Sequence, residues 1–332
     1  MMKFGFIPTE GGHYYSEFLE EALLGEELGF DSVWLEEHHS VKNHYWPSPL
    51  MALAGLATRT ERIMIGTDIL ILPLYHPVRI AEDAALLDIM SNGRFIFGAA
   101  IGYKPDEFAL YQLPLENRGS QYAESLKLIK KLWTEEEVYF EGKHYRLDGL
   151  KIEPRPIAEP HPPIWLGGWG NLSLKRAAEL GDAWVPGPTA NLEKILNAQQ
   201  VYFSHLKTAG KDPGCVERPL TREVVIAETD AKAEAIAEKH LLINYRDEYG
   251  GGKWKHPLIG AEDSTPVSEL GSICMDRFIV GSPETVIAKI KRFEEAFGVS
   301  HLICRLFHAD MPHDIIMNEI RLLAKEVLPT FR

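Results

Sequence analysis

Short apolar segments alternate along the chain with segments whose apolar residues recur at helical spacing. This alternation is typical of βα units, in which helices connect parallel strands. Eight apolar segments of this kind occur, which is the strand number of a (β/α)8 barrel. We therefore predict an α/β fold, a (β/α)8 TIM barrel, as a single domain over residues 1–332. The predicted strands cover residues 3–8, 32–35, 63–70, 95–100, 164–166, 183–185, 223–227 and 301–305.

Most of the predicted strands are followed by a segment whose apolar residues have helical spacing. One segment interrupts this alternation of strands and helices. Residues 246–275 contain three consecutive glycines, two prolines and charges of both signs. A loop of this length in a compact domain commonly serves as a lid or is disordered. We expect a lid segment inserted near residues 246–275. The predicted helices cover residues 16–28, 50–57, 77–90, 119–133, 172–180, 192–209, 231–245 and 283–297, with a last helix ending near residue 327.

Composition and charge narrow the class of protein. With 45% hydrophobic and 25% charged residues, the chain has the composition of a packed globular protein. Its formal net charge of -13 repels polyphosphates and anionic lipids at long range, so we expect neither a nucleic acid nor a membrane as partner. No apolar run reaches the roughly 18 residues of a membrane span.

Cysteine usage and the first residues favour a reducing compartment. The three cysteines are scattered and lack CxxC spacing, which favours neither a disulfide framework nor a thiolate zinc site. The segment MMKFGFIPTEGG has too short an apolar stretch before Pro8 for a signal peptide core. We expect a cytoplasmic protein.

Glu37, His38 and His39 directly follow the second predicted strand, at the end of the barrel where active sites lie. Imidazole titrates near neutral pH, and a neighbouring carboxylate can fix its tautomer. We expect one of the two histidines to face a pocket. Two other interpretations stay open: both histidines bond nearby backbone, or they bind a metal together with His44 and His76. No metal-binding spacing such as HExxH occurs, so we predict no metal.

A glycine-rich turn, GGWGNLS at residues 167–173, lies between a predicted strand and a predicted helix. Glycines let the backbone approach an anion closely, and free N–H groups at a helix start point toward it. The turn therefore predicts a phosphate site, although an ordinary strand-to-helix turn would look the same. It departs from the dinucleotide-binding fingerprint, because Ser173 replaces the last glycine.

Asp68 interrupts an otherwise apolar strand, GTDILILP. A buried carboxylate is costly unless it is paired, so Asp68 either contacts a polar ligand or has a structural partner. The strand aromatics Trp34, Phe95, Trp165 and Trp184 favour core positions over a cofactor platform.

Five segments, taken in order, resemble the bacterial luciferase-like monooxygenase family. They are WLEEHH, IGTDILILPLYHPVRIAEDAALLDIMSNGRFIFG, GYKPDEFALYQLPLENRGSQYAESLKLIKKLW, PPIWLGGWGNLSLKRAAELGDAW and FIVGSPETVIAKIKRFEEAFGVSHLICRLFH. The resemblance covers the chain apart from residues 190–275. The family fold is a (β/α)8 barrel, in agreement with the strand count.

The resemblance implies an enzyme that binds reduced FMN, delivered by a separate flavin reductase. Dioxygen would add at the flavin C4a carbon, and the resulting peroxide would oxygenate a small, moderately apolar organic substrate. His38 matches the catalytic acid/base, with Glu37 as polar partner of the flavin or of that histidine. The cofactor-binding residues implied are Asp68, Ile69, Ala100, Tyr103, Gly167, Gly168, Trp169, Asn171 and Ser173.

The resemblance also implies a non-proline cis peptide between Asp68 and Ile69, and a homodimer. Light emission is not expected, because Ala100 and Ile101 replace the reactive cysteine and phosphate-binding arginine of light-emitting members. Three alternatives remain: a sister branch that transfers hydride with 8-hydroxy-5-deazaflavin, a non-catalytic flavin-binding protein, and an unrelated phosphate-binding barrel such as an aldolase.

Overall fold

A curled sheet of parallel strands forms the centre of the fold. The computed structural model describes residues 1–41, 45–245, 276–308 and 310–332. The predicted lid at residues 246–275 lies outside the described residues. The strands are β1 Lys3–Ile7, β2 Ser32–Leu35, β3 Met64–Thr67, β4 Leu70–Ile71, β5 Phe95–Ala100, β6 Val138–Glu141, β7 Arg146–Leu150, β8 Ile164–Leu166, β9 Ala183–Trp184, β10 Pro219–Ile226, β11 Ile279–Gly281 and β12 His301–Arg305.

The pairing order confirms the predicted barrel. The strands pair in the order β11-β10-β12-β1-β2-β3-β5-β8-β9, and β4 pairs with β5. The N–H of Thr221 on β10 donates to the carbonyl oxygen of Pro186 at 3.3 Å, which connects β10 with the segment that follows β9. All eight predicted strands belong to this barrel. The sequence patterns missed β11, a short strand that pairs with Val224–Ile226 at the end of β10.

Helices surround the sheet, and most begin and end within a residue or two of the predicted bounds. Two differences are structural: α4 follows β5 without having been predicted, and a π-helical turn at Ala237–Leu241 interrupts the predicted helix 231–245. The helices are α1 Tyr15–Leu28, α2 Pro49–Ala57, α3 Pro77–Met90, α4 Pro105–Leu110, α5 Arg118–Thr134, α6 Asn171–Leu180, α7 Leu192–Thr208, α8 Asp230–Ile236, α9 Leu242–Asn244, α10 Pro283–Phe297 and α11 His313–Leu322.

Aromatic side chains fill the interior of the barrel. The rings of Trp34 and Trp165 stack with centroids 4.8 Å apart, and His301 packs edge-on against both. A Cβ atom at Gly66 would lie 2.4 Å from the Trp34 ring, so a side chain there would displace the tryptophan. The prediction that the strand aromatics belong to the core is confirmed.

The chain departs from strand geometry at the ligand end of β3. Asp68 and Ile69 lie between β3 and β4, where the N–H of Asp68 donates to the Leu35 oxygen at 2.8 Å. The cis peptide bonds of the described residues precede Pro154 and Pro160. The expected cis bond between Asp68 and Ile69 is therefore wrong; this bond adopts the trans form that non-proline residues strongly prefer.

Helix length and hydropathy also bear on membrane insertion. In the described parts of the chain, no helix is both long enough and apolar enough to span a membrane.

Candidate functional site

A cavity of about 410 Å³ opens at the carboxyl ends of the barrel strands. A larger one, of about 680 Å³, lies at the opposite end near Lys3, Met64 and His301. We assign the site to the first, because in (β/α)8 barrels the chemistry lies at the carboxyl ends of the strands. Ten of the eleven predicted site residues line it: Glu37, His38, Asp68, Ile69, Ala100, Tyr103, Gly167, Gly168, Trp169 and Ser173.

His38 faces this cavity from the segment after β2. Its Nδ1 atom lies 2.6 Å from Oε1 of Glu107, a residue of α4. Burial would raise the pKa of Glu107, but the hydrogen bond and charge of His38, the N–H of His39 and the charge of Lys104 together lower it. An ionised Glu107 holds the proton of His38 at Nδ1, which leaves Nε2 for a ligand.

Glu37 is buried beneath the same wall, and its carboxylate accepts hydrogen bonds from other groups of the protein. Oε2 accepts the N–H of Ile71 at 2.6 Å. Oε1 accepts from the Tyr75 hydroxyl and from Nε2 of His39. Of the two partners predicted for Glu37, His38 is therefore wrong, because consecutive side chains of an extended segment point to opposite sides. The other predicted partner, the flavin, stays a prediction.

His39 supports the site from behind. Its Nε2 bonds Glu37 at 3.0 Å, its Nδ1 accepts from the Tyr111 hydroxyl at 3.1 Å, and its backbone N–H donates to Glu107 at 3.1 Å. Both ring nitrogens are thus engaged within the protein. Of the two neighbouring histidines, His38 has the nitrogen that can reach a ligand.

The glycine-rich turn forms another wall of the cavity. Gly168 has φ 133°, and a Cβ atom there would lie 2.5 Å from Cβ of Ser173. The Gly168 oxygen accepts from Nε1 of Trp184 at 2.8 Å, which fixes the turn. No side chain of the described residues caps the start of α6 at Gly170. The N–H of Ser173 donates to the Gly170 oxygen at 2.8 Å, so the N–H groups that precede it are the ones that can donate to an anion.

The side chain of Asn171 does not line the cavity, while its backbone N–H, at the start of α6, stays a predicted donor to a phosphate. Its Oδ1 accepts a hydrogen bond from Nε2 of His205 at 2.9 Å on the protein surface. The structure therefore places its side chain away from the other predicted cofactor ligands, because a residue in the first turn of α6 can project to either side of the helix end.

Arg118 lines the cavity although the sequence analysis did not single it out. Its Nη1 donates to the Leu115 oxygen at 2.8 Å, and its buried Nε has no hydrogen-bond partner among the described residues. Its position in the sequence could have indicated a role in the site, because Arg118 is the first residue of α5 and lies one residue before the predicted start of that helix. Glu107 was missed for a similar reason, because α4 was read as a loop.

Acidic groups and one arginine form the far side of the cavity. Nε of Arg305 lies 2.5 Å from Oε2 of Glu36, and its Nη1 lies 3.2 Å from Oε2 of Glu223. The Thr221 hydroxyl donates to Oδ2 of Asp68. Burial is the main cause that raises the pKa of Asp68 to about 7, and burial also raises the pKa of Glu223.

Metal-binding residues are not concentrated at this site. Over the described ranges of the chain, no group of three or more His, Cys, Asp or Glu side chains is arranged to hold a metal ion.

Comparison with known proteins agrees with this geometry. The family model described as Luciferase-like monooxygenase matches residues 2–301. An F420-dependent glucose-6-phosphate dehydrogenase of Amycolatopsis mediterranei (strain U-32) is 28% identical over 350 residues, covering 100% of this chain and 99% of the relative.

Two monooxygenases are also similar. The oxygenase component of the flavin-dependent trigonelline monooxygenase of Acinetobacter baylyi is 27% identical over 241 residues, covering 70% of this chain and 65% of the relative. The crystal structure of a monooxygenase from Streptomyces bottropensis superposes with a TM-score of 0.87 at 26% identity, covering 100% of both chains. The chain therefore belongs to the luciferase-like monooxygenase family, which is made up of flavin-dependent or F420-dependent oxidoreductases and monooxygenases.

Proposed function

We propose that this protein is a flavin-dependent monooxygenase that uses reduced FMN and dioxygen to oxygenate a small, moderately apolar organic substrate. The observation that carries the proposal is the placement of His38, bonded to Glu107, in the same cavity as the anion-binding groups Arg118 and Ser173. A proton-transferring group and a phosphate site are the two parts that this chemistry requires of the protein.

The anion-binding wall fits the phosphate of FMN. Arg118 offers a guanidinium whose Nε is buried without a hydrogen-bond partner among the described residues, which is costly unless a ligand provides one. Ser173 offers a hydroxyl, and the uncapped start of α6 offers N–H groups with a favourable helix dipole. We propose that these groups hold the phosphate in place of the arginine found after the fourth strand in light-emitting relatives.

Between these walls, the lining fits a flat, largely apolar ring. Ile69, Ile71, Ala100, Ile101 and Val185 face the cavity. A side chain at Gly167 would lie 2.5 Å from Ile69, so glycine keeps the ring space open. We propose Asp68, Ile69, Ala100, Tyr103, Gly167, Gly168 and Trp169 as the residues that contact the flavin.

His38 acts as the acid/base in this proposal. In the form with one proton, placed on Nδ1 and directed at Glu107, the ring accepts a proton at Nε2 from the reacting molecules and returns it later. Glu107 stabilises the charged imidazole that forms between these two transfers. When bound, reduced FMN supplies the electrons that activate dioxygen.

We propose that a separate flavin reductase delivers reduced FMN, which agrees with the relationship to an oxygenase component. We also propose a homodimer in the cytoplasm. Large apolar side chains are exposed on the adjoining helices α2 and α3, with Met51 at 76% and Leu86 at 50%. Light scattering of wild type and Met51→Lys tests the dimer, because a charge in this interface lowers the dimer fraction.

A second candidate activity is hydride transfer with 8-hydroxy-5-deazaflavin. It is favoured by the similarity to an F420-dependent dehydrogenase over the whole chain. The cavity lining by itself does not distinguish the two flavin ring systems. Direct comparison of the two cofactors decides between the activities.

The decisive experiment is an equilibrium titration of the purified chain with oxidised FMN, riboflavin, the deazaflavin cofactor and simple sugar phosphates. We expect FMN to bind more tightly than the other ligands. Its affinity should exceed that of riboflavin by roughly tenfold or more, because charge-assisted hydrogen bonds hold the phosphate. Arg118→Ala should narrow the difference between FMN and riboflavin, and Arg79→Ala, at an exposed arginine of α3, should not. Preference for the deazaflavin cofactor or for sugar phosphates would contradict the proposal.

Reoxidation kinetics separate an enzyme from a flavin-binding protein. Reduced FMN is bound and mixed with dioxygen, and flavin absorbance and released hydrogen peroxide are followed in wild type, His38→Ala and the surface control His205→Ala. We expect only His38→Ala to change the kinetics. Identical kinetics in all three proteins, without oxygenation of any substrate, would favour the non-catalytic alternative.

A further inference from the structure

Asp68 is held differently from the other acids that line the cavity. Glu36 and Glu223 each form an ion pair with Arg305. Asp68 forms none with the described residues, and its single side-chain hydrogen bond joins Oδ2 to the Thr221 hydroxyl. The described residues form no hydrogen bond with the second oxygen, Oδ1, and Asp68 lines the cavity.

The surroundings of Asp68 favour its protonated form. Burial raises the pKa of this carboxyl to about 7; the Thr221 hydrogen bond lowers it, the charge of Glu36 raises it, and the charge of Arg305 lowers it least. A carboxyl without an ion-pair partner, next to another carboxylate, keeps its proton to a higher pH. Since Thr221 donates to Oδ2, the proton belongs on Oδ1, where a ligand can accept it.

We propose that Asp68 carries this proton at Oδ1 and donates it in a hydrogen bond to an acceptor atom of the bound flavin ring, which makes flavin binding proton-linked. The inference rests on the proposed function, because it takes the flavin as ligand. An ionised Asp68 would instead present a second acceptor to the carbonyl oxygens and unprotonated nitrogens of the ring. Asp68 is thereby a determinant of cofactor affinity as well as part of the wall.

Other charged groups face the same region and must be separated from Asp68. They are Glu36, Glu37 and His38 after β2, Arg118 on α5, Glu223 on β10, Arg305 on β12, and Glu10 in the loop after β1, whose Oε1 accepts the N–H of Glu36. Burial also raises the pKa values of Glu10 and Glu223. A single substitution at Asp68 leaves all of these in place, so a change in pH dependence reports on Asp68.

The test measures the dissociation constant of oxidised riboflavin by fluorescence between about pH 6 and pH 9. Riboflavin is chosen because it lacks the phosphate of FMN, which itself titrates near neutral pH. In wild type, affinity is present below the pKa of Asp68 and is lost as the pH rises through it, by up to about tenfold per pH unit for one linked proton. Asp68→Asn, whose amide still donates, should bind with nearly constant affinity over this range.

Two further variants keep the result interpretable. Asp88→Asn removes a buried carboxyl on α3 outside the cavity and should retain the wild-type pH dependence. Thr221→Val removes the hydrogen bond that lowers the pKa of Asp68, so the midpoint of the pH dependence should move to higher pH. A midpoint that stays unchanged or moves lower in Thr221→Val would contradict the inference.

The remaining outcomes distinguish the two proposals. Riboflavin binding with the same pH slope in Asp68→Asn as in wild type overturns the inference alone. Failure of wild type to bind riboflavin or FMN at any pH overturns the proposed function together with the inference.

Discussion

Oε1 of Glu107 accepts hydrogen bonds from Nδ1 of His38 at 2.6 Å and from the backbone N–H of His39 at 3.1 Å. One oxygen of α4 therefore connects both histidines of the segment after β2. The side chain that faces the cavity and the backbone that carries it are oriented by the same carboxylate. Displacing α4 would turn His38 within the site.

Replacing Glu107 by glutamine should slow the chemistry while the fold is retained. The amide oxygen still accepts hydrogen bonds, but the amide carries no charge to stabilise protonated His38. We therefore expect the rate at which bound reduced FMN reacts with dioxygen to fall on the order of tenfold or more. Stopped-flow absorbance measures the rate. Glu116→Gln, at an exposed position before α5, is the matched control; equal rates in both variants would show that the charge of Glu107 is not used.

Glu37→Gln should reduce stability. The buried carboxylate accepts from Ile71, Tyr75 and His39, and an amide cannot accept from all three. We expect a loss of about 1–3 kcal/mol in the free energy of unfolding, the cost of leaving a buried polar group unsatisfied. Urea denaturation followed by circular dichroism gives this value, with Glu295→Gln on the exposed face of α10 as control. Equal free energies of unfolding for the two variants, within experimental error, would argue against a stabilising role for the hydrogen bonds of Glu37.

Gly168→Ala should disturb the glycine-rich turn. Its φ of 133° is unfavourable for alanine, and the new methyl group would meet Cβ of Ser173 at 2.5 Å. Backbone strain of this kind costs on the order of 1–3 kcal/mol, and shifting the turn should weaken FMN binding as well. Gly187→Ala is the control on the same cavity, because a Cβ atom there has no neighbour within 4 Å. Thermal unfolding and FMN titration of both variants test the difference.

Glu26→Gln should lower the free energy of unfolding at neutral pH, and this loss of stability should disappear in acid. Oε1 of Glu26 accepts the N–H groups of Glu61, Arg62 and Ile63 at 2.7–2.9 Å. Burial raises the pKa of Glu26, but these three hydrogen bonds and the charge of Arg62 lower it overall. A lowered pKa means that the stabilisation is present above the unfolded-state value and is lost as the pH falls through the folded-state value.

Unfolding in urea at pH 7 and again at about pH 3 measures this linkage. We expect a difference of about 1 kcal/mol between wild type and Glu26→Gln at pH 7 and a smaller one in acid. If the difference in stability between wild type and Glu26→Gln instead grows toward low pH, the pKa of Glu26 is not lowered by folding and the prediction is wrong.

Much of the barrel could be predicted because its signals are local. Strands such as Ser32–Leu35 and Phe95–Ala100 are buried on both faces, so their sequences are continuous apolar runs. Pro77 and Pro283 begin helices, and Gly29 and Gly298 end them with positive φ, as their residue types favour. The short strand β11 was missed because it has only three residues and pairs at the edge of β10.

The sequence by itself determined the barrel and the end of it that carries the site, because periodicity and strand ends are properties of neighbouring residues. Most of the ten predicted residues that line the cavity followed only from the resemblance of its segments to a known family. Only the tertiary structure decided that Glu107 and not Glu37 bonds His38, that Arg118 lines the cavity, that the side chain of Asn171 bonds His205, and that the Asp68–Ile69 bond is trans. The physical reason is that these relationships depend on side-chain direction and on contacts between residues distant in the chain, which strand and helix patterns do not encode.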